Sequence, residues 1–247
     1  MAVSGLCAFY PGAQSILSRD RRSQILFDIF FKLNSGEIIS VAGESGCGKS
    51  TLGKTLIGLV QDIEGKFLYR NKIYNPLQMD NLRRDIQIVF QDPYGSLNPR
   101  LTIGQVLDEV VERYSTSNDR PKQVYKLMND VQLPADIYFS YPHELSGGQR
   151  QRACIARALA VQPKVLICDE IISALDISIQ SKILNLILDL KSEYELGILF
   201  TTHDLKVVRA ISDGILIMSK GRIVERGTAD EIFDKPKHMY TKKLLSS

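Results

Sequence analysis

The residues best suited to chemistry form a glycine-rich run, GESGCGKST, at residues 43–51. Its spacing fits G-x-x-x-x-G-K-S/T, the pattern of a loop whose backbone amides surround phosphate oxygens. The helical run LGKTLIGLV follows, and the positive N-terminal end of a helix attracts the same phosphates. We expect the Lys49 ammonium to contact the outer phosphates and the Ser50 hydroxyl to coordinate Mg²⁺. The predicted triphosphate site comprises Gly43, Glu44, Ser45, Gly46, Cys47, Gly48, Lys49, Ser50 and Thr51.

Two adjacent carboxylates, Asp169 and Glu170, follow the apolar run KVLIC at residues 164–168. In phosphoryl transfer, an acid at the tip of a neighbouring strand completes the shell of Mg²⁺, and a second carboxylate can orient the attacking water. We expect Asp169 to hold the metal and Glu170 to orient the water. Because neighbouring side chains on an extended backbone point in opposite directions, the two acids are expected to have different roles. A strand that ends in ordinary surface acids is the alternative.

A second candidate anion site lies in LSGGQRQR, residues 145–152, just before the helical run ACIARALA. Ser146 offers a hydroxyl there, and the amides of Gly147 and Gly148 are exposed at the start of the helix. A single chain rarely needs two cradles for one triphosphate, so an ordinary N-cap at Ser146 is the alternative.

Short runs of apolar and β-branched residues predict the strands that position these side chains. Two of the runs, residues 37–42 and 164–168, are apolar on both faces. That pattern is typical of a central, mainly parallel sheet that is covered by helices. The predicted strands are residues 25–33, 37–42, 66–74, 86–90, 164–168, 197–202, 214–219 and 222–227.

Helical patterns fill much of the remaining chain. Residues 103–160 are nearly free of strand patterns and predict a helical insertion. Residues 178–194 predict a helix with one buried apolar stripe at helical spacing. The stripe consists of Ile179, Ile183, Leu186, Ile187 and Leu190. Together with the strands, these helices predict an α/β fold.

Length and composition exclude several classes of protein. The 247 residues, 44% of them hydrophobic, are enough for a sizeable core, and a net charge of +3 is too small to indicate a nucleic-acid or membrane-surface protein. The four cysteines are scattered without the spacing of a zinc site, which indicates a reduced, cytosolic protein. Neither His143 nor His238 is assigned to a metal. The sequence shows neither a secretion signal nor a run of about 18 apolar residues that would span a membrane.

Taken together, these motifs resemble the nucleotide-binding domain of an ABC transporter over nearly the whole chain. GESGCGKST resembles Walker A, FQDPYGSLNPR (90–100) the Q-loop region, LSGGQRQR the ABC signature, VLICDE (165–170) Walker B, SALD (173–176) the D-loop and TTHDL (201–205) the switch-histidine region. All six stand in the family's order and rough spacing. The resemblance implies an ABC ATPase fold, a P-loop NTPase core with a mainly parallel sheet and an antiparallel β subdomain. This core would comprise residues 1–91 and 161–247, with an inserted helical subdomain at residues 92–160.

The resemblance also implies roles within the chain's own ATP site. Gln91 would contact Mg²⁺ or water, Glu170 would act as the general base, and His203 would contact the γ-phosphate. Asp169 and Ser50 would be the other ligands of Mg²⁺. Tyr10 would stack on adenine, although the neighbouring Phe9 or a purely structural aromatic is an equal alternative.

A second set of implied roles concerns a dimer. In this family two nucleotide-binding domains face each other head to tail, and the signature of one closes over the ATP of the other. The residues that would contact the partner's nucleotide are Ser146, Gly147, Gly148 and Gln149. Asp176 in the D-loop would communicate across the dimer.

Within the family, FQDPYGSLNPR and the C-terminal run GRIVERGTADEIFDKPKHMYTKKLL (221–245) resemble the peptide/opine/nickel importer branch. The opening run VSGLCAFY (3–10) and the polar stretch before ILFDIFF (25–31) resemble most closely the second ATPase of nickel-type systems. The resemblance implies an ATP- and Mg²⁺-dependent ATPase at the cytoplasmic face of the membrane. Its partners would be a second ATPase subunit, as a heterodimer or a homodimer, two membrane permease subunits and an external solute-binding protein, with no nucleic acid. Nickel or a metal chelate is the first substrate prediction and di- or oligopeptides the second.

Two rival functions come from other ABC proteins. A soluble ABC subunit of an enzyme complex, such as carbon-phosphorus lyase, is the main alternative, and the intact SLNPR run favours the importer. A DNA-repair ATPase is disfavoured because no sustained heptad pattern of an inserted coiled coil is present.

The chain departs from the family pattern at Ile171 and Ile172, where a proline and then a small residue usually follow Walker B. Two β-branched residues favour an extended backbone and packing, whereas proline would end the strand sharply. We expect a modest change in D-loop packing with hydrolysis preserved, because Glu170 is retained.

Overall fold

The structure is a computed structural model that describes residues 1–11, 22–74, 82–114 and 119–246. The chain divides into two compact units, the first formed by Met1–Arg83 and Gly197–Ser247 and the second by Arg84–Leu196. The boundaries predicted for the core and the helical subdomain, at residues 92 and 160, stay a prediction. Within the described ranges, none of the helices combines the length and the apolar character needed to cross a membrane.

The described residues contain both strands and α-helices. The strands are β1 (Ala2–Pro11), β2 (Arg22–Lys32), β3 (Ile38–Ala42), β4 (Ile63–Tyr69), β5 (Lys72–Tyr74), β6 (Ile86–Val89), β7 (Val165–Asp169), β8 (Gly197–Thr202), β9 (Gly214–Ser219) and β10 (Arg222–Gly227). The α-helices are α1 (Lys49–Leu56), α2 (Pro93–Ser96), α3 (Ile103–Tyr114), α4 (Arg120–Asp130), α5 (Gly147–Leu159), α6 (Ile177–Tyr194), α7 (Leu205–Ile211), α8 (Ala229–Phe233) and α9 (Met239–Ser246). This order confirms the predicted α/β class.

The first unit contains a four-stranded antiparallel sheet in the order β2, β1, β4, β5. Residues 66–74, predicted as one strand, instead belong to β4 and β5, because Arg70 and Asn71 take φ angles of 48° and 61° and reverse the chain. The sequence pattern does not predict β1. Its pairing with both neighbours is interrupted by register shifts, so its buried residues do not alternate regularly.

Four further strands of the first unit, β10, β9, β3 and β8, lie side by side in that order. β3 runs parallel to β8 and β9, whereas β10 pairs antiparallel with β9. Every residue of β3 and β8 is buried, as expected for strands that are apolar on both faces. β3 ends at Ala42 and delivers the glycine-rich run to the carboxyl end of this sheet.

The C-terminal helices of the first unit cover one apolar cluster. Phe233 from α8 and Tyr240 and Leu244 from α9 pack against it as partly buried side chains. Its buried members are Ala42, Val208, Ile215, Ile217 and Ile232. The cluster therefore joins the end of the chain to the end of β3.

In the second unit, β6 and β7 form a parallel pair, and helices α3, α4 and α5 occupy much of the predicted helical insertion. Short 3₁₀ turns lie at Ala135–Phe139 and Pro142–Glu144. Helix α6 buries four residues of the predicted stripe, whereas Ile179 in its first turn is only half-buried.

Candidate functional site

The glycine-rich run forms a tight loop between the buried strand β3 and helix α1. Gly48 has a φ of 112°, a conformation that residues with a side chain rarely adopt. At Gly43, an added Cβ would lie 2.2 Å from the Met218 carbonyl oxygen, so only glycine fits there. The Gly221 amide donates a 2.8 Å hydrogen bond to the Cys47 carbonyl oxygen. The β9 strand and the turn after it thus fix one side of the loop.

The Lys49 side chain lies inside this loop. It is only 3% exposed, and its Nζ donates hydrogen bonds to the carbonyl oxygens of Gly43 (2.9 Å) and Glu44 (3.1 Å). An added Cβ at Gly46 would meet no atom of the described residues within 4 Å, so this side of the loop is open. An open mouth, a buried cation and the N-terminal end of a helix together fit the outer phosphates of a triphosphate.

Oxygen ligands suited to Mg²⁺ occur at two of the predicted positions. Ser50 lies in the first turn of α1, and Asp169, the last residue of β7, is 3% exposed. In the part of the chain that the structure describes, no group of three or more His, Cys, Asp and Glu residues is arranged to hold a metal ion. Mg²⁺ usually binds through one or two protein oxygens together with substrate phosphates, and the chemistry of each of these two oxygen ligands, taken by itself, suits that mode of binding.

Two further predicted residues lie in the first unit. His203 is exposed directly after β8, and the next residue, Asp204, begins α7 by accepting a 2.8 Å hydrogen bond from the Lys206 amide. Tyr10 is 36% exposed near the end of β1, and the neighbouring Phe9 is half-buried. The more exposed ring is the better candidate for stacking on a base, and the adenine contact stays a prediction.

Glu170 lies just beyond β7, half-buried, in a conformation that the sequence does not predict. Its φ is +50°, in the left-handed region that non-glycine residues adopt only where the surroundings hold them. The prediction that Asp169 and Glu170 share an extended backbone is therefore wrong at Glu170. The different environments of the two acids arise from a turn of the chain and not from strand alternation.

Ser173 holds this turn and connects it to Gln91. The Ser173 amide and hydroxyl both donate to the Glu170 carbonyl oxygen, at 3.2 Å and 2.9 Å. The Gln91 Nε2 in turn donates a 3.2 Å hydrogen bond to the Ser173 hydroxyl oxygen. The second unit thus brings together two predicted residues, Gln91 and Glu170, through a third that the sequence reasoning missed. The only signal for Ser173 was its place in SALD.

The two isoleucines after Glu170 lie in the same turn. Ile171 and Ile172 are both 2% exposed, which agrees with the packing expected of them. Their predicted extended backbone is wrong, because residues 171–174 form a turn in which the Leu175 amide donates to the Ile172 carbonyl oxygen at 3.1 Å. Ile171 also lines a cavity of about 370 Å³ in the second unit, together with Gln91 and Gly147.

The start of α5 is capped by the residues predicted to bind an anion. The Ser146 hydroxyl accepts a 3.3 Å hydrogen bond from the Gln149 amide, and the Gln149 side chain accepts one of 2.9 Å from the Ser146 amide. The N-cap alternative for Ser146 is therefore realised. Gly148 leaves no room for a side chain, since an added Cβ would lie 2.7 Å from the Ile179 side chain. Anion binding by Ser146, Gly147, Gly148 and Gln149 stays a prediction.

Asp176 has a similar capping role at α6. Its carboxylate accepts hydrogen bonds from the Ser178 hydroxyl at 2.8 Å and from the Ile179 amide at 3.1 Å. These bonds, that of Ser178 first, hold the pKa of Asp176 below its ordinary value. The exposed carboxylate is thus kept charged and fixed at the start of the helix.

The chain is similar in sequence to known proteins. The profile of the ABC transporter family matches residues 26–173. The dipeptide transport ATP-binding protein DppF of Haemophilus influenzae is 43% identical over 98% of this chain and 76% of its own length. The glutathione import ATP-binding protein GsiA of Pectobacterium atrosepticum is 44% identical over 100% of this chain, which spans only 41% of that relative.

A solved structure shares the fold. The dimeric ATP-binding cassette MJ0796, in a post-hydrolysis state bound to ADP and Pi, has a TM-score of 0.78 and 27% sequence identity. The similarity covers 92% of this chain and 98% of that one.

Proposed function

Because the chain belongs to the ABC transporter family and is an ATPase of that family, we propose that it powers an importer of short peptides. The main support for ATP hydrolysis is the loop at residues 43–51, which lies between a buried strand and a helix. Two of its carbonyl oxygens accept hydrogen bonds from the Lys49 ammonium. The similarity to proteins named for dipeptide and glutathione import supports short peptides as the substrate. This reverses the order of the substrates expected from the sequence, in which nickel or metal chelates stood first.

In the proposed site, each part of the loop has its own task. The backbone amides of residues 43–51 bind the phosphate oxygens, and Lys49 offsets their charge. The Ser50 hydroxyl and the Asp169 carboxylate would hold Mg²⁺, with Gln91 as a further contact. Such an ion would supply positive charge to stabilise the negative charge that develops during phosphoryl transfer.

Glu170 is the proposed general base. Its carboxylate accepts a proton from the attacking water, and Ser173 fixes the backbone from which that carboxylate projects. His203 contacts the γ-phosphate and Tyr10 stacks on adenine. These roles rest on the family resemblance.

We place the start of α5 on the nucleotide of a second cassette. The dimeric form of the related cassette supports this arrangement. A helix N-terminus attracts an anion, so Ser146, Gly147, Gly148 and Gln149 close over the partner's phosphates while Asp176 contacts the partner near them. The partner is a second ATPase subunit, and we propose a heterodimer ahead of a homodimer.

The rest of the proposed assembly serves transport. Two membrane permease subunits dock on the second unit near Gln91 to Ile103, and an external solute-binding protein delivers the peptide. The chain itself lies against the cytoplasmic face of the membrane as a peripheral subunit.

Uptake measurements in a strain that lacks the gene test this proposal. We expect loss of uptake of a labelled dipeptide or of glutathione, with recovery on expression of the wild-type chain and none with Glu170→Gln. Purification of the native complex is expected to recover two permease subunits and a second ATPase. Loss of nickel uptake alone would overturn the peptide substrate, and recovery of lyase enzymes without a permease would overturn import.

A further inference from the structure

The C-terminal helix contacts the phosphate loop through one hydroxyl group. The amide of Glu44, the second residue of the loop, donates a 3.1 Å hydrogen bond to the Tyr240 hydroxyl oxygen. The carbonyl oxygen of the same Glu44 accepts the bond from Lys49 Nζ. One peptide segment of the loop is therefore held by Tyr240 on one side and by the phosphate-binding lysine on the other.

The position of Tyr240 is itself fixed by several contacts. The Glu225 carboxylate accepts hydrogen bonds from the amides of Lys237 at 2.7 Å and His238 at 3.0 Å, where the chain enters α9. The Tyr240 amide donates a 3.1 Å hydrogen bond to His238 Nδ1. Since backbone and side-chain bonds both hold this segment, the hydroxyl of Tyr240 has a defined place.

The ring of Tyr240 adds a second anchor. It packs against the apolar cluster that contains Ala42, the residue directly before the loop. Burial, as the largest cause, also raises the pKa of Tyr240, so the phenol stays neutral at physiological pH. The tyrosine thus spans the end of β3 and the first turn of the loop.

We propose that Tyr240 is a positioning residue for ATP binding and that its hydroxyl keeps the first turn of the phosphate loop in its binding conformation. This inference rests on the proposed ATP site at residues 43–51. It assigns a task to KPKHMYTKKLL, the run that the function proposed above leaves unused. Without this acceptor, the Glu44 amide donates its hydrogen bond to water instead, and the first turn of the loop becomes less ordered. ATP binding must then order the loop, which lowers the affinity for ATP.

The test is equilibrium binding of a fluorescent ATP analogue to the full chain. Tyr240→Phe keeps the ring in the cluster and removes only the hydroxyl, so we expect the Kd to rise about 3- to 10-fold with the urea midpoint unchanged. Met239→Ala, a change in the neighbouring side chain that is 76% exposed, is the matched control and leaves the Kd as in the wild type. In the assembled transporter, KM for ATP rises with Tyr240→Phe while kcat is kept.

A Lys49→Ala variant separates failure of this inference from failure of the ATP site. Equal binding by the wild-type and Lys49→Ala proteins overturns the site at residues 43–51 and the inference with it. Weaker binding by Lys49→Ala but wild-type binding by Tyr240→Phe overturns the positioning role alone. Amide hydrogen exchange gives a second readout if Tyr240→Phe lowers stability. Exchange at residues 43–48 is expected to be faster without the hydroxyl, and an unchanged rate there counts against the inference.

Discussion

The Ser173 hydroxyl donates a 2.9 Å hydrogen bond to the carbonyl oxygen of Glu170, the proposed general base. Glu170 has a left-handed backbone conformation, which costs about 1–3 kcal/mol and persists only where surrounding contacts offset that cost. Ser173 supplies two of the bonds that hold it, through its hydroxyl and its amide. Gln91 donates to the same hydroxyl, so the position of the base depends on the glutamine of another segment.

We predict that Ser173→Ala lowers kcat for ATP hydrolysis in the assembled complex about 5- to 10-fold, with KM nearly unchanged. The loss of one hydrogen bond lets the Glu170 carbonyl move, whereas the contacts to the phosphates stay. Ser173→Thr keeps the hydroxyl and is expected to restore most of the rate. Equal rates for the alanine and wild-type proteins would remove Ser173 from this role.

Glu170→Gln is predicted to reduce hydrolysis by about 10²- to 10⁴-fold while ATP still binds, because the amide cannot accept the proton of water. Size-exclusion chromatography with ATP and Mg²⁺ should then show a stabilised pair of cassettes. Glu195→Gln is the matched control, since Glu195 has a similar φ of 52° at the end of α6 and no proposed role. Full turnover by Glu170→Gln would rule out Glu170 as the base.

Ile171 lies in the turn after Glu170, at the position where the family usually has proline. Ile171 is 2% exposed, so Ile171→Ala is expected to lower the free energy of unfolding by about 2–4 kcal/mol. Ile177→Ala removes the same atoms from a side chain that is 81% exposed and is expected to change it by less than about 0.5 kcal/mol. Urea denaturation measures both. Similar losses in the two variants would contradict the packing of Ile171.

The sequence predicts best where a motif is contiguous. The proposed phosphate loop lies within the contiguous residues 43–51, and the apolar run before them and the helical run after them predict its context. The contact of Ser146 with Gln149 is equally local, because a capping box spans only one turn. Such features depend on neighbours along the chain, which the sequence displays directly.

Contacts between segments that are distant along the chain could not be predicted from the sequence. Tyr240 and Glu44 are 196 residues apart, and Gln91 and Ser173 are 82 residues apart. Neither pairing has a local pattern, because each depends on where the fold places a strand end. The left-handed Glu170 is unpredictable for the same reason, since only tertiary contacts make that conformation favourable in a non-glycine residue.

A fourth prediction compares two acids that contact one lysine. Lys126 in α4 donates to Asp130, 2.7 Å away and 8% exposed, and to Glu193, 3.4 Å away and 52% exposed. Asp130 also accepts a hydrogen bond from the hydroxyl of Tyr194 in α6. Asp130→Ala is expected to lower the free energy of unfolding by about 1–3 kcal/mol, because two donors lose a buried partner. Glu193→Ala is the control and should cost less than about 1 kcal/mol, as exposed ion pairs do. Equal costs in urea denaturation would contradict the difference in burial.

The same network predicts how stability responds to alkaline pH. Burial and the hydrogen bond to Asp130 raise the pKa of Tyr194 from 10.0 to about 12, and the bond to Asp130 raises that of Lys126 as well. A group whose pKa is higher in the folded state stabilises the fold below its unfolded pKa, and this contribution is lost as the pH rises through the folded value. We therefore expect the free energy of unfolding to fall between pH 10 and about 12. Tyr194→Phe should make that decline shallower, because one of the two groups no longer ionises. An equally steep decline in Tyr194→Phe, measured by urea denaturation at several pH values, would show that Tyr194 does not contribute.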